Sequence, residues 1–387
     1  MREQLAMVWA VLTLAAGATM APAATWQVEK DGSGDFTVIQ AAVTASSAGD
    51  TILIGPGRYD DFHTFVAPAW QTEVIVDVTK DDLTFIGAGR DVTIIGPEEM
   101  YDPGVRPEPM AVATVDTVVA RFERLAIENA RNGIYWAYGR VEIEDCRFEG
   151  CQDGVYIFCE GGASVRDSEF YSEYSIPIGI VTFSPCGPVN ITGCVFGGPD
   201  TAEQAVSINS TMDVNVSDCE FTTRTGVVFS GSTGRVTNCR ATSAVGQAIW
   251  VTSASYVELA DNQLHGNYSS LDVDSGSRVV GTANVFTGGQ IASTIDIASN
   301  GSVQLTSGHI LKSGILAVET RWFFETTFIQ DLTGNYWGTT DTDSIDAWIQ
   351  DMNDDPAIHS VVDYLPIAET PLPAKRSSLG GIKALFR

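Results

Sequence analysis

The sequence predicts an all-β fold, a right-handed parallel β-helix (a solenoid) with short N- and C-terminal capping helices. One observation is a strand template that recurs about every 23 residues, in which alternating apolar residues precede a small or polar residue and then a Phe, Leu or Ile. The other is a second short apolar strand that follows a turn in each unit. Such a unit cannot bury its own apolar face, so neighbouring units must stack strand over strand.

The repeat is defined by the last position of its template. That position falls at Ile127, Phe148, Phe170, Phe196, Phe221, Ala241, Leu264, Phe286 and Ile310. The spacing is too short for a propeller blade, and the leucine-rich consensus is absent. We therefore expect these side chains to point into the core of consecutive coils.

Two positions earlier, the seven units that end at Phe148 through Phe286 carry a small or polar residue. This column is Cys146, Ser168, Cys194, Cys219, Cys239, Asn262 and Asn284. Stacked coils would repeat it at the interstrand distance of about 4.8 Å, so it predicts a ladder of inward side chains in which the cysteines are buried thiols. Cys159 and Cys186 lie outside the column on consecutive coils, and we expect them to form a disulfide in an oxidising compartment.

Two segments predict helices that cover the open ends of the stack. Thr37 is the expected N-cap of a short helix whose apolar residues cover the first coil. From Asp343 to Met352, apolar residues follow the i, i+3, i+4, i+7 pattern of an amphipathic helix.

The chain divides into three parts. Residues 1–24 combine an apolar stretch with small residues before Thr25, which is typical of a cleaved secretory signal peptide. Residues 25–368 form the predicted β-helix domain, and residues 369–387 form a Pro-containing linker and a basic C-terminal tail. No span is expected in the mature chain, and we expect the protein to be extracellular, periplasmic or at the cell surface.

The formal net charge is −27. Phosphate contacts require clustered Lys and Arg, so nucleic acid is not an expected partner. A strongly acidic secreted protein is also suited to taking up divalent cations such as calcium.

Several motifs carry a family resemblance. DGSGDFTVIQAAV (31–43), GAGRDVTIIG (87–96) and GNYWGTTD (334–341) resemble segments of the right-handed parallel β-helix superfamily of secreted, pectate-lyase-like proteins. The first motif and GPGRY (55–59) are similar to the start of pectin methylesterases. These motifs mark the fold and not the activity, because family members with different activities share them.

The resemblance implies what an esterase would need. Pectin methylesterases use a Gln-Asp pair, a second Asp as nucleophile one coil later, and an Arg beside a Trp. Gln152 and Asp153 match the pair, but the next coil reads IPIGIVTF and has no Asp at the matching place. We therefore predict no pectin methylesterase activity and place Gln152 and Asp153 in a turn before Gly154.

The second strand of each coil suggests where a ligand would bind. Strand alternation points Val155, Val206 and Val227 inward and their neighbours to solvent. The outward aromatic residues are Tyr135, Tyr156, Phe158, Phe183 and Trp250. Exposed rings beside carboxylates suit a sugar chain, so these residues are candidates for carbohydrate binding. The alternative is a row covered by a loop or by another chain.

Three carboxylates continue these outward rows. Asp272, Asp274 and Asp296 are expected to form one acidic patch beside Trp250. Three interpretations remain open for the patch: calcium ligands, the catalytic residues of an enzyme, and solvated acids on an acidic protein.

The sequence therefore favours a secreted β-helix protein that binds an extracellular polysaccharide or cell-surface glycan. One alternative is a polysaccharide lyase or glycoside hydrolase that uses the acidic patch. Another is a structural cell-surface protein. Lyases of this superfamily generally need a basic residue beside calcium, and basic residues are sparse on these strands, which favours binding.

Overall fold

The structure is a computed structural model. It describes residues 22–100, 108–158, 162–171, 178–183, 187–198, 204–243, 245–323 and 327–371, with the backbone alone at 178, 179 and 183. Within these residues the chain winds as a right-handed parallel β-helix, which confirms the predicted fold class. Each coil passes in turn through three faces, which we name sheets I, II and III.

Sheets I and II hold the two halves of the repeated template. The strands of sheet I are Thr25–Val28, Thr51–Ile54, Leu83–Gly87, the second half of Met110–Glu123, the second half of Asn132–Glu144, Gly162–Arg166, Val189–Thr192, Val214–Ser217, Thr233–Thr237, Tyr256–Ala260, Arg278–Thr282, Ser302–Thr306, Phe328–Asp331 and Ser360–Asp363. The strands of sheet II are Gly57–Tyr59, Thr93–Ile95, Ala126–Glu128, Arg147–Glu149, Glu169–Tyr171, Val195–Gly197, Glu220–Phe221, Arg240–Ser243, Gln263–Gly266, Val285–Gly288 and His309–Lys312.

Sheet III holds the second strand of each coil. Its strands are Gln71–Asp77, the first halves of Met110–Glu123 and Asn132–Glu144, Asp153–Phe158, Ile178–Phe183, Gln204–Asn209, Thr225–Ser230, Gln247–Thr252, Ser269–Val273, Ser293–Ala298, Leu316–Arg321 and Ile349–Gln350. One further strand, His63–Val66, pairs antiparallel with Gln71–Asp77 and forms a hairpin at the N-terminal end of this sheet. The pairings that stack one coil on the next are parallel.

The core side chains are those that the repeat predicts. On sheet II, Phe148, Phe170, Phe196 and Phe221 stack ring over ring, with neighbouring centroids 4.7, 4.8 and 5.3 Å apart. On sheet III, the positions predicted to face inward are buried, as at Val155. Strand alternation and in-register stacking thus place one apolar residue above the next along the whole core.

The column of small residues is buried as predicted. Cys146, Cys194, Cys219 and Cys239 are all free thiols with at most 2% exposure. Further along the column, the Asn262 amide Nδ2 donates to Asn284 Oδ1 at 2.9 Å. Small inward side chains fit where the chain turns from sheet I to sheet II, and the side-chain amides of both asparagines hydrogen-bond to the neighbouring coil.

The corner between sheets I and II uses left-handed backbone. One residue there has φ between +48° and +67° in successive coils, and these residues are Arg124, Asp145, Asp167, Gly193, Asp218, Asn238, Asp261, Ala283 and Ser307. Asp, Asn and Gly tolerate this conformation better than other residues, which explains their frequency at the position.

Helices lie near both ends of the stack, and both differ in detail from the prediction. The first helix is Ile39–Ala45, and its N-cap is Val38 and not Thr37. The second helix is Thr342–Asp346 and does not continue to Met352. Ile349 instead joins sheet III opposite Val318, because strand pairing with the last coil outweighs the helical periodicity of the local sequence.

Three predictions concern residues outside the described part of the chain. Cys159 and Cys186, the expected disulfide partners, are not described, and neither are most of residues 1–24 or of the tail 369–387. The described strands run from Thr25 to Asp363, within the domain limits of 25–368 that stay a prediction.

Candidate functional site

The outer face of sheet III carries a continuous column of paired residues. In order along the solenoid they are Asp77, Ala113, Tyr135, Tyr156, Val181, Ser207, Val228, Trp250, Asp272, Asp296, Glu319 and Gln350. The register predicted from Tyr135 to Asp296 is therefore correct. Tyr135 and Tyr156 follow one another early in this column, and three carboxylates, Asp272, Asp296 and Glu319, follow one another near its end.

The aromatic half consists of Trp70, Tyr135, Tyr156 and Phe158. Tyr135 and Tyr156 are stacked with centroids 5.3 Å apart, and Trp70 meets Tyr135 edge-on at 5.5 Å. Phe158 lies 6.4 Å from Tyr156 and is 37% exposed. Stacked strands hold these rings in fixed positions, and together they form an apolar platform on the outer face.

A segment of the same chain covers the N-terminal edge of this platform. Phe65, on the hairpin strand His63–Val66, packs with Val74, Met110 and Ala113, and Tyr135 lies against this cluster. The covering loop weighed as an alternative to binding is therefore present at Tyr135. Tyr156 and Phe158 lie further along the solenoid.

The middle of the column is less exposed than strand alternation predicted. The exposed fraction of the residue is 1% at Val181, 7% at Ser207 and 5% at Val228. Asn209 covers part of this stretch by donating from Nδ2 to Ser207 Oγ at 3.2 Å. The middle of the column is therefore nearly closed to solvent. The side chain of Phe183, another predicted binding residue, lies outside the described part of the chain.

The acidic half consists of Trp250, Asp272, Asp274, Asp296 and Arg321. Asp296 is fully buried, and Arg321 donates to both of its oxygens, with Nε 3.0 Å from Oδ1. Asp272 is 7% exposed and accepts a hydrogen bond from Gln247 at 3.3 Å. Asp272 and Asp296 are therefore not solvated surface acids. Buried carboxylates are stable only with such partners.

Burial changes the acidity of this pair. Desolvation, together with the charge of Asp296, raises the pKa of Asp272 to about 7. Desolvation also raises the pKa of Asp296 to about 6, although the charge of Arg321 opposes the shift. Asp272 thus exchanges its proton near neutral pH, which is the range in which a carboxyl group can act as an acid or a base.

Asp274 follows the end of its strand and orients a ring. Trp250 donates from Nε1 to Asp274 Oδ2 at 3.1 Å, and Thr252 donates to Oδ1. The Trp250 side chain is partly exposed. A hydrogen-bonded indole has little rotational freedom, so the ring presents a fixed surface beside the carboxylates.

Each carboxylate of the acidic half accepts at least one hydrogen bond, and the donors are Arg321, Gln247, Trp250 and Thr252. Among the described residues, no group of three or more His, Cys, Asp or Glu side chains is arranged to hold a metal ion. Calcium binding by Asp272, Asp274 and Asp296 stays a prediction.

Asp153 was predicted to lie in a turn with Gln152, but it is the first residue of the strand Asp153–Phe158 in the aromatic half. Asp153 is 9% exposed and accepts from Asn132 Nδ2 at 3.0 Å, and desolvation raises its pKa to about 6. In the next coil, the residue paired with Asp153 is Ile178. The position that an esterase nucleophile would occupy therefore carries no carboxyl group.

A groove at the C-terminal end of sheet III was missed by the sequence analysis. Its volume is about 550 Å³. Its lining residues are Arg321, Trp322, Phe323, Gln350, Asp355, Ala357, Ile358 and His359. These residues come from two segments that the last coil brings together, and no repeat or motif in the sequence marks them.

Comparison with known proteins agrees with this architecture. The model of the family described as "Right handed beta helix region" matches residues 179–310. This match covers about a third of the chain and agrees with the right-handed parallel β-helix fold of the structure. The A-module of a mannuronan C-5 epimerase from Azotobacter vinelandii superposes on the β-helix with a TM-score of 0.52 and 14% identity, covering 87% of this chain and 95% of that chain. The fold is therefore shared with an enzyme named for its action on a polysaccharide.

Two further comparisons are a solved structure with a lower TM-score and a sequence match over a shorter part of the chain. The catalytic unit of a GH87 α-1,3-glucanase from Streptomyces thermodiastaticus has a TM-score of 0.48 and 12% identity over 88% of this chain and 67% of that chain. A putative pectinesterase/pectinesterase inhibitor from Arabidopsis thaliana is 30% identical over 142 residues, which are 34% of this chain. The match spans 22% of the length of that curated relative.

None of the helices in the described part of the β-helix protein has both the length and the apolar character needed to cross a membrane.

Proposed function

We propose that this chain is a secreted β-helix protein that binds an extracellular polysaccharide along the outer face of sheet III. One observation carries the proposal: aromatic rings and hydrogen-bonding carboxylates share a single in-register column on that face. Phe158 and Tyr156 lie in the aromatic half, and Trp250 lies four strand spacings further on, about 19 Å away. This length suits an extended chain of several sugar rings.

The chemistry of the two halves is complementary for such a ligand. Pyranose rings have an apolar face that stacks on aromatic side chains, and their hydroxyls donate to carboxylates and amides. Parallel strands fix Trp250 and Tyr156 before the ligand arrives, which lowers the entropic cost of binding. A rigid face with spaced rings therefore favours recognition of a polymer over recognition of a single small molecule.

The proposal includes secretion and the absence of pectin methylesterase activity. The apolar stretch before Thr25 supports export. Ile178 opposite Asp153 supports the lack of an esterase, since that mechanism needs a second carboxylate one coil later.

Turnover of the glycan is a second candidate function. The observation in its favour is the buried pair of Asp272 and Asp296, in which the pKa of Asp272 is about 7. Proton transfer to a glycosidic oxygen needs an acid of this kind. Binding remains the primary proposal, because Arg321, the cation beside this pair, is held by Asp296.

The test is calorimetric titration with hexasaccharides of cellulose, xylan, mannan and α-1,3-glucan, followed by product analysis of any that bind. Phe158→Ala and Trp250→Ala should each weaken binding about tenfold, because each removes a stacking surface. Tyr256→Ala is the matched control, since Tyr256 is also 37% exposed but lies on sheet I. Binding that is unchanged in the first two variants, or equally weakened in the control, would exclude the outer face of sheet III as the binding surface.

A further inference from the structure

The groove at the C-terminal end of sheet III continues the outer face beyond Glu319. Arg321 and Gln350, the last member of the outward column, both line it. The groove therefore begins where the acidic half ends. A polymer that follows the outward column past Asp296 reaches it without changing direction.

Trp322 is an exposed aromatic ring of the groove. Its side chain is 60% exposed, although a large apolar ring normally gains by burial. Its backbone has φ of +60°, a conformation that bulky residues rarely adopt. Both features cost free energy in the folded protein, and such costs are concentrated at ligand sites.

A neighbouring ion pair fixes the Trp322 ring. The Arg321 guanidinium carbon lies 4.5 Å from the ring centroid, within the range of a cation–π contact. Arg321 in turn donates two hydrogen bonds to Asp296, which is fully buried. The chain of contacts from the core to Trp322 therefore orients the exposed ring before any ligand binds.

The other residues of the groove supply an apolar floor and a polar rim. Phe323 and Ile358 are buried at 2% and 7% exposure. The side chains of Gln350 and His359 make no hydrogen bond to another residue of the described part of the chain, so their polar groups are available to hydroxyls. One exposed ring, a small apolar floor and amide and imidazole groups are the surroundings that a pyranose requires.

The negative charge around the groove favours neutral glycans over acidic ones. Asp355 lies in the groove, and Glu319 is paired with Gln350 at its edge on the same face. Arg321, the cation of the groove, is already paired with Asp296. A glycan rich in carboxylates would be repelled by this field, whereas a neutral glycan would not.

We propose that the groove is a subsite for a pyranose ring of a neutral glycan, stacked on Trp322, at the C-terminal end of the binding face. The inference rests on the proposed function, since it names a subsite and a substrate class for the same face. It adds a site that neither the motifs nor the relatives indicate.

The test compares Trp322→Asn and Trp322→Tyr with wild type and with Tyr256→Ala in titrations of the neutral hexasaccharides of cellulose, xylan, mannan and α-1,3-glucan. Asn tolerates positive φ, so Trp322→Asn removes the ring without destabilising the backbone. We expect at least a tenfold loss of affinity in Trp322→Asn, recovery of most of the affinity in Trp322→Tyr, and no change in Tyr256→Ala.

Each other outcome has a definite meaning. If Trp322→Asn binds the hexasaccharides as tightly as wild type does, the subsite is overturned and the proposed function stands. Failure of every neutral hexasaccharide to bind wild type would overturn both. Hexagalacturonate provides the test of charge. If it binds wild type more tightly than the neutral ligands do, and binds Trp322→Asn more weakly than wild type, the assignment to neutral glycans is overturned.

Discussion

The two halves of the outer face of sheet III share one backbone repeat but are buried by different means. In the aromatic half, apolar side chains such as Phe65 on the hairpin pack onto Tyr135 and its neighbours. In the acidic half, Arg321 reaches back to Asp296 and satisfies a carboxylate that has no contact with solvent. The first arrangement depends on buried apolar area and the second on paired charge. Removing a partner therefore has different consequences in each half.

The largest effect is expected for Arg321→Ala. Breaking a buried ion pair leaves Asp296 uncompensated, which should lower the free energy of unfolding by about 3–5 kcal/mol at pH 8. Arg235→Ala is the matched control, because Arg235 pairs with Glu258 at a solvent-exposed position and such pairs contribute about 0–1 kcal/mol. Denaturant melts of both variants measure the difference. Equal losses would show that the acidic half is not held by the buried pair.

A smaller effect is expected for the pH dependence of stability. The pKa of Asp272 is about 7 in the folded protein, above its usual value of 3.8, so the folded state retains a proton that the unfolded chain has released. Stability should therefore fall as pH rises from about 4 to 7 and stay low above that range, by a total on the order of 2–4 kcal/mol.

Asp272→Asn should flatten this decline and make the protein more stable than wild type at pH 8. Asp153→Asn, in the aromatic half, should flatten it less, because the pKa of Asp153 is about 6. Glu99→Gln, at an exposed position, serves as the control. Denaturant melts at intervals from pH 4 to pH 8 give the free energy of unfolding as a function of pH. Parallel curves for wild type and Asp272→Asn would show that Asp272 does not cause the decline.

The smallest effect, none, is expected for methanol release from methylated pectin. The aromatic half contains Asp153, but its partner in the next coil is Ile178, so the position in register with Asp153 carries no carboxylate nucleophile. Assaying wild type and Asp153→Asn beside an active pectin methylesterase measures the rate. Methanol release by wild type that Asp153→Asn abolishes would contradict this prediction and give the aromatic half a catalytic role.

The sequence predicted the inner surface of the molecule well, because that surface follows from local rules. Alternation along a strand and a repeat near 23 residues place Phe196 over Phe170 without reference to distant parts of the chain. The outward positions were assigned to the right column for the same reason. The degree of burial of these outward positions was not predicted, because it depends on side chains that are far away in the sequence.

Two residues show this limit. Asp296 is buried by Arg321, which lies 25 residues further along the chain, and no local pattern connects them. Ile349 was placed in a helix by its periodicity, yet it completes sheet III because Val318 offers an open strand edge beside it. Trp322 carried no signal either, since one exposed Trp after a strand has no periodic partner.

The left-handed residue between sheets I and II has an evolutionary consequence. Because corners at positions such as Asp145, Asp167 and Asn238 share one geometry, duplication or deletion of a whole coil would join two equivalent corners. Such an event would lengthen or shorten the outer face by one strand spacing, about 4.8 Å, and leave the remaining coils intact. An insertion of a single residue within a strand would instead turn the following inward side chains out of the core. The length of the outer face can thus change in steps of one coil.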